Sequence, residues 1–241
     1  VIVLDDADMD IAVRSAVLSA FKTTGQRCVS AGRLIVHEKI AAEFTEKFLR
    51  MARRITIGDP LRSDVFMGPL INEQGLKKVE YHNEMAIKEG AEVLLKGERL
   101  SGKEYDRGFF MSPFVYRMKH NHESFVLREE AFGPHVAVIP VGSLEEAIHV
   151  YNDTEYGLAL AVITEDYRKA RMVEESCEYG LGYVNLPSIG AEVHLPFGGV
   201  KGSGTGMPSA ATLIDAVTHR VAWTINHGTE IKMAQGLGTE V

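Results

Sequence analysis

The feature that most constrains this chain is an alternation: short apolar runs of strand length, each followed by a stretch of helical period. Residues 1–4, Val1-Ile2-Val3-Leu4, read as a buried strand. Asp8 is placed to cap a helix from Met9, with Asp10 in its first turn. Ile11, Val13, Val17, Leu18 and Phe21 predict an apolar stripe on that helix, and Gly25 its stop. Residues 32–37 repeat the strand pattern, and 41–54 the helical one, with Phe44, Phe48, Leu49 and Met51. Asn72 is predicted to cap a helix ending at Gly90, and 93–95 to form a strand. After a loop or hairpin over 97–113, strands are predicted at 136–141, 158–163 and 181–186. Ser143-Leu144-Glu145-Glu146 is a capping-box opening for one intervening helix, and 165–176 form another. Strands alternating with helices in this way predict an α/β fold, a mostly parallel sheet flanked by helices.

The end of the chain differs. Residues 196–208 are a glycine-rich loop, and 220–226 alternate, with Val221, Trp223 and Ile225 on one face. Period-two patterning there predicts an edge or exchanged strand able to pair with another subunit. A homo-oligomer, dimer or tetramer, is therefore expected.

Composition narrows the function. With 241 residues, 45% of them hydrophobic, the chain can bury a sizeable core. A net charge of −7 argues against binding nucleic acid through overall charge, and the densest basic cluster, Arg50-Met51-Ala52-Arg53-Arg54, reads as a solvated helix face. Cys28 and Cys177 are far apart and in no CxxC pattern, so neither a disulfide scaffold nor a metal site is expected, and a reducing, cytoplasmic setting is. No apolar run is long enough to cross a bilayer, and no signal peptide is read at the start. The chain opens on Val1 in mid-strand, so a portion of a longer protein is expected.

Within this frame one stretch carries chemistry. Phe21-Lys22-Thr23-Thr24-Gly25-Gln26-Arg27-Cys28 leads a helix into a glycine and then a thiol with a cation beside it. Local sequence supports two readings of Cys28: a small buried hydrophobe, or a nucleophile whose thiolate is favoured by positive charge and oriented N–H groups. Three further stretches stand out: Glu129-Glu130-Ala131-Phe132-Gly133-Pro134 before a strand, Asn152-Asp153-Thr154-Glu155-Tyr156-Gly157-Leu158, and Pro196-Phe197-Gly198-Gly199-Val200-Lys201-Gly202-Ser203-Gly204-Thr205-Gly206. The last fails as a phosphate loop. It lacks the GxxxxGK[ST] spacing, and Met207 stands where GxGxxG needs a glycine, so a tight, close-approaching loop is the reading.

Together and in this order, these four stretches, with the opening Leu4-Asp5-Asp6-Ala7-Asp8-Met9-Asp10, resemble the aldehyde dehydrogenase superfamily over nearly the whole chain. The resemblance implies a catalytic domain over residues 1–210, a C-terminal segment with an oligomerisation strand over 211–241, and a cofactor-binding domain outside this chain. It implies that Cys28 is the catalytic cysteine and that Glu130 holds hydroxyls of the nicotinamide-side ribose of NAD or NADP. Phe132 corresponds to an aromatic near the nicotinamide, and Phe197 to a residue lining the substrate channel. The implied reaction is attack of the Cys28 thiolate on a small aldehyde, hydride loss to leave a thioester, and hydrolysis to the acid.

By the same resemblance, the general-base glutamate and the oxyanion-hole asparagine lie before Val1, so residues 1–241 alone are expected to be inactive; the rival reading is a non-catalytic scaffold or interaction fragment with an unused thiol. Two departures matter. Gly206 is followed by Met207-Pro208-Ser209 instead of Gly-Arg-Glu. Ile189-Gly190-Ala191-Glu192, Thr224-Ile225-Asn226-His227 and Met233-Ala234-Gln235-Gly236 resemble the branch acting on α-aminoadipic semialdehyde. That likeness implies that Arg27, Gly190 and Ala191 select a carboxylate-tailed substrate; the other reading of Arg27 is a surface or thiolate-tuning cation. His120-Asn121-His122 reads as polar loop rather than a metal site, Cys177 as buried without chemistry, and Glu129 and Glu130 as pointing apart.

Overall fold

The computed structural model describes residues 1–204 and 206–231, and its elements follow the apolar runs. The first half contains β1 (Ile2–Val3), α1 (Met9–Phe21), β2 (Arg33–His37), α2 (Glu38–Ala52), α3 (Glu73–Lys88) and β3 (Glu92–Leu95). The middle contains β4 (Phe114–Arg117), α4 (Phe125–Arg128), β5 (His135–Val141) and α5 (Leu144–Asn152). After these come β6 (Tyr156–Gly157), β7 (Ala159–Ile163), α6 (Tyr167–Ser176), β8 (Leu181–Val184), β9 (Val200–Lys201) and α7 (Leu213–Val217).

Seven strands make one sheet in the order β3-β4-β5-β2-β1-β7-β8, parallel except where β3 runs antiparallel to β4 at one edge. The expected mostly parallel α/β sheet is thus present. β6 and β9 pair separately, which folds the glycine-rich loop back beside the main sheet. Strands covered on both faces have no polar side, and this is why residues 1–4 are apolar throughout. Val1 and Val3 pack with Val17, Phe21, Phe44 and Phe48 beneath α1 and α2. Ile2 and Leu4 face Phe114, Tyr116, Val150 and Val173 on the other side.

The caps read in the sequence are made. Asp8 accepts the Ile11 N–H at 2.8 Å, Asn72 that of Gly75 at 2.8 Å, and Ser143 that of Glu146 at 3.1 Å. Glu146 reaches back to the amide of Gly142 at 2.7 Å, one residue earlier than a capping box requires.

Other expectations are corrected. Ile11 is 40% exposed; it lies two residues from Val13, and at helical pitch that is close to the opposite face. The buried side of α1 is instead Ala12, Val13, Ala16, Val17, Ala20 and Phe21. Leu18 is half-buried and Met51 exposed, both at the rims of their helices. α1 stops at Phe21, four residues before Gly25. β4 and α4 were not anticipated, because four residues are too few to display a period. Residues 220–226 pair with no other strand among the described residues, and Val221, Trp223 and Ile225 are exposed, so the expectation of a strand pairing with another subunit is neither met nor corrected by the single chain. Residues 233–236 and Thr205 lie outside the described residues. No described helix is long and apolar enough to cross a membrane.

Candidate active site

The approach to Cys28 is built from backbone that ordinary residues avoid. Beyond α1, Thr23 (φ 58°) and Thr24 (φ 61°) enter the left-handed region, followed by Gly25 (φ 67°). Each non-glycine residue held there costs about 1–3 kcal/mol, so the surroundings must hold it. They do so through side chains. The Thr24 hydroxyl donates to Gly68 O at 3.0 Å, while the Gln26 amide donates to Pro69 O at 3.2 Å and accepts from Ile71 N at 2.9 Å. On the other side, Ser188 donates its hydroxyl to Val29 O at 2.7 Å and its amide to the Ser19 hydroxyl at 2.9 Å.

Gly25 decides what lies opposite. A Cβ there would stand 2.3 Å from Gly133 O and 2.9 Å from Ala20 O. The cysteine turn and the Glu129–Pro134 stretch therefore meet backbone to backbone, which only glycine permits.

Cys28 itself sits in a turn closed by Ser30 N donating to Arg27 O at 2.9 Å, and it is exposed. Its amide has no acceptor among the described residues, so an N–H beside the sulfur is free to meet a ligand oxygen. A cleft of about 340 Å³ opens above it, and Glu130, Phe132, Thr154, Tyr156 and Ser188 share its lining with Cys28. Phe132, at φ 56°, is another left-handed residue and is 40% exposed. Glu130 is open to solvent at its rim, yet the protein packed around it desolvates the carboxyl and raises its pKa, with Lys78 opposing.

The structure brings together three of the residues singled out above, Cys28, Glu130 and Phe132. Arg27, Gly190, Ala191 and Phe197 are not among the cleft's lining residues. Arg27 is exposed and turns back to donate to the Thr23 hydroxyl at 2.7 Å. Gly190 (φ 97°) and Ala191 lie in an exposed loop, and Phe197 is half-buried at the start of the glycine loop. That loop is tight, as read from sequence: a Cβ on Gly198 would stand 2.1 Å from Gly206 O. Gln26 and Ser188, the clamps on the turn, were missed. Gln26 lies in a noted stretch and Ser188 in none, but each acts as a clamp through partners about 40 to 170 residues away.

His120 and His122 are not a bare polar loop. His120 Nε2 lies 2.8 Å and His122 Nδ1 2.6 Å from the two oxygens of Asp153, which belongs to the second noted stretch. Asp153 is a half-buried carboxylate. Burial pushes its pKa up, but the hydrogen bond from His122 and the charges of both imidazoles outweigh that and leave it lowered. Arg128, which lines the cleft, lies against the same group, so the cluster braces the Glu130 side of the site. Among the described residues no three such side chains are arranged to hold a metal ion.

Cys177 closes α6, half-buried, and burial pushes its thiol up to about 12. His135 also lines the cleft, but it is a poor base for Cys28. Burial lowers its pKa to about 3, its Nδ1 is bonded to Asn83 Oδ1 at 2.8 Å, and no hydrogen bond joins it to the sulfur.

Comparison with known proteins gives one family. The model of the Aldehyde dehydrogenase family matches residues 1–222. The chain is 37% identical to an α-ketoglutaric semialdehyde dehydrogenase of Bacillus subtilis, over 84% of this chain and 41% of that protein. It is 38% identical to a mitochondrial succinate-semialdehyde dehydrogenase of Oryza sativa, over 85% and 38%. A betaine aldehyde dehydrogenase of Staphylococcus aureus solved with NAD+ superposes at a TM-score of 0.81, with 32% identity over 85% of this chain and 41% of that one. The chain spans about two-fifths of the length of these relatives.

Proposed function

The chain belongs to the aldehyde dehydrogenase family, and on that premise we propose that it carries the catalytic thiol for oxidation of an aldehyde to a carboxylic acid, with Cys28 as nucleophile. The observation that carries the reading is the shared cleft: an exposed sulfur, a free amide at the same residue, a carboxylate and an open aromatic face. The Cys28 thiolate adds to the carbonyl carbon, and the developing oxyanion accepts the Cys28 N–H. The adduct loses hydride and becomes a thioester, which water cleaves to the acid, returning the thiol. The water-activating base is assigned to no residue of this chain.

The nicotinamide end of NAD or NADP fits the rim formed by Glu130 and Phe132. Phe132 offers an exposed ring face held by its left-handed backbone, and Glu130 an accessible carboxylate able to accept from hydroxyls. Bound there, the cofactor supplies the hydride acceptor. Residues 1–241 alone are proposed to sustain no turnover. The assembly proposed is a homo-oligomer in which residues 220–226 gain a partner edge.

A semialdehyde with a carboxylate tail is the proposed substrate class, supported by the names of the Bacillus subtilis and Oryza sativa relatives. The finer likeness to the α-aminoadipic branch adds Arg27, Gly190 and Ala191 as proposed selectors of the charged end, and Phe197 as a channel residue. Exposure of Arg27 beside the thiol is compatible with that role. Assayed in a polypeptide joining this chain to a dinucleotide-binding domain, Cys28→Ser is expected to lower kcat by at least about a thousandfold. Arg27→Ala should raise KM for succinic semialdehyde about tenfold while leaving that for butanal unchanged. Retained turnover in the serine variant sinks the nucleophile; equal KM changes sink the role of Arg27.

A further inference from the structure

A second and larger hollow lies on the far side of the cysteine turn. It occupies about 830 Å³ between α1, α2 and the loop 55–66. Its floor is apolar: Val17 is buried, Leu18 and Phe66 half-buried, and Met51 exposed. Leu18 and Met51 are the two helix-rim residues that the core does not take up.

The charges around this floor are unevenly placed. Lys47 and Arg50 are tied to Glu43 and Glu46 on their own helix, and Asp64 is held by Arg62. Arg14, Lys22 and Arg54 have no carboxylate partner among the described residues. Lys22 lies over the Phe66 ring, 4.8 Å from its centroid, and Phe66 N bonds Thr56 O at 3.0 Å, two residues after Arg54. Lys22 and Arg54 therefore flank one end. Asp10, Arg14, Leu18 and Lys22 follow at spacings of four along one face, so the trough runs about 18 Å, with an acid at the far end.

We propose that this trough binds a monomeric long-chain carboxylate, its head at Lys22 and Arg54 and its alkyl tail along Leu18 and Val17. The apolar floor offers nothing to a small inorganic anion. Asp10 at the opposite end disfavours a segment acidic along its length, such as an acidic peptide helix, but is indifferent to an uncharged tail. The volume falls within the range of ordinary small-molecule sites. In a chain of net charge −7, two unpaired cations at one end of an apolar hollow form a local exception that a single anionic head complements.

Titration of the chain with octanoate, decanoate and dodecanoate by calorimetry tests this, with 1-decanol, an acidic amphipathic peptide and anionic phospholipid vesicles as the other arms. Saturable binding is expected to tighten about fourfold per methylene, and to weaken as salt is raised. The double variant Lys22→Gln/Arg54→Gln, at one half-buried and one exposed cation, should lose about tenfold for decanoate and nothing for decanol. Leu18→Asp should weaken both. Equal decanoate affinity in the charge variant overturns the proposal, as does binding confined to vesicles or to the peptide. Alkylation of Cys28, unchanged in these variants, verifies that the turn beyond Lys22 remains folded.

Discussion

Gly25→Ala is expected to destabilise the chain by at least about 3 kcal/mol and to abolish selective labelling of Cys28. Two costs add. A residue with a Cβ must hold φ 67° in a run that already contains two left-handed threonines. The new methyl would also stand 2.3 Å from Gly133 O and 2.7 Å from its carbonyl carbon, atoms of backbone that cannot rotate aside. Relief requires the turn and the Glu129–Pro134 stretch to separate, which opens the cleft on the thiol side. Gly32→Ala is the control from the other side of Cys28. It has no positive φ and no atom within 4 Å of its added methyl, so its effect should be within about 0.5 kcal/mol. Urea unfolding of both variants measures the difference. Similar losses in the two would mean that the close approach at Gly25 does not hold the site.

The second large effect is in acid. His135 is 5% exposed, stacked on Phe114 at 5.3 Å, with its pKa lowered to about 3 by burial and then by His82. His82 is also lowered, by burial first. In the unfolded chain a histidine takes its proton near about pH 6.5. Below that pH the unfolded state binds a proton that the native ring refuses, so stability is full above about 6.5 and falls as pH drops toward 3. From about pH 7 to about pH 5 the loss assigned to His135 alone is about 2 kcal/mol, and His82 adds to it. His135→Val keeps a strand-forming residue on β5 and removes the titration. The gap between urea midpoints at the two pH values should therefore narrow by the His135 share in the variant, leaving the part that His82 contributes. An unchanged pH slope would show that the acid sensitivity lies elsewhere.

Much of the fold could be read from the sequence because its determinants are local. Apolar runs too short for a helix, such as residues 1–4 and 136–141, and capping residues such as Asp8, Asn72 and Ser143 each act within a few positions. What escaped reading depends on the third dimension. The sequence does not show that Gln26 meets residues 69–71, or that Ser188 meets Val29 and Ser19. Nor does it show that Asp153 gathers His120 and His122, since those partners are separated by about 30 residues. Ile11 differs for a simpler reason: it is apolar, but lying two residues from Val13 places it nearly opposite the buried face of α1.

The site divides along the same line. Cys28, Glu130 and Phe132 share one cleft because Gly25 lets the cysteine turn touch the backbone of Gly133, and glycine is legible as a letter although its neighbour is not. The roles of Gly190, Ala191 and Phe197 rest on resemblance alone, whereas Arg27 is also legible as a cation beside the thiol. The alternating stretch 220–226 shows a different gap. A strand pattern states what a segment can do, whereas the edge that it needs belongs to another chain or another part of the assembly.

With Cys28 as the proposed nucleophile, its sulfur should meet carbonyl carbon ahead of that of Cys177. The direct measurement is a brief pulse with 4-nitrophenyl acetate near about pH 7, followed by peptide mass mapping, with free cysteine as the rate standard. An acetyl thioester on Cys28 is expected, formed faster than on the standard, with Cys177 unlabelled and the signal lost in Cys28→Ser. Labelling that favours Cys177, or acylation of Cys28 no faster than the free amino acid, would contradict it.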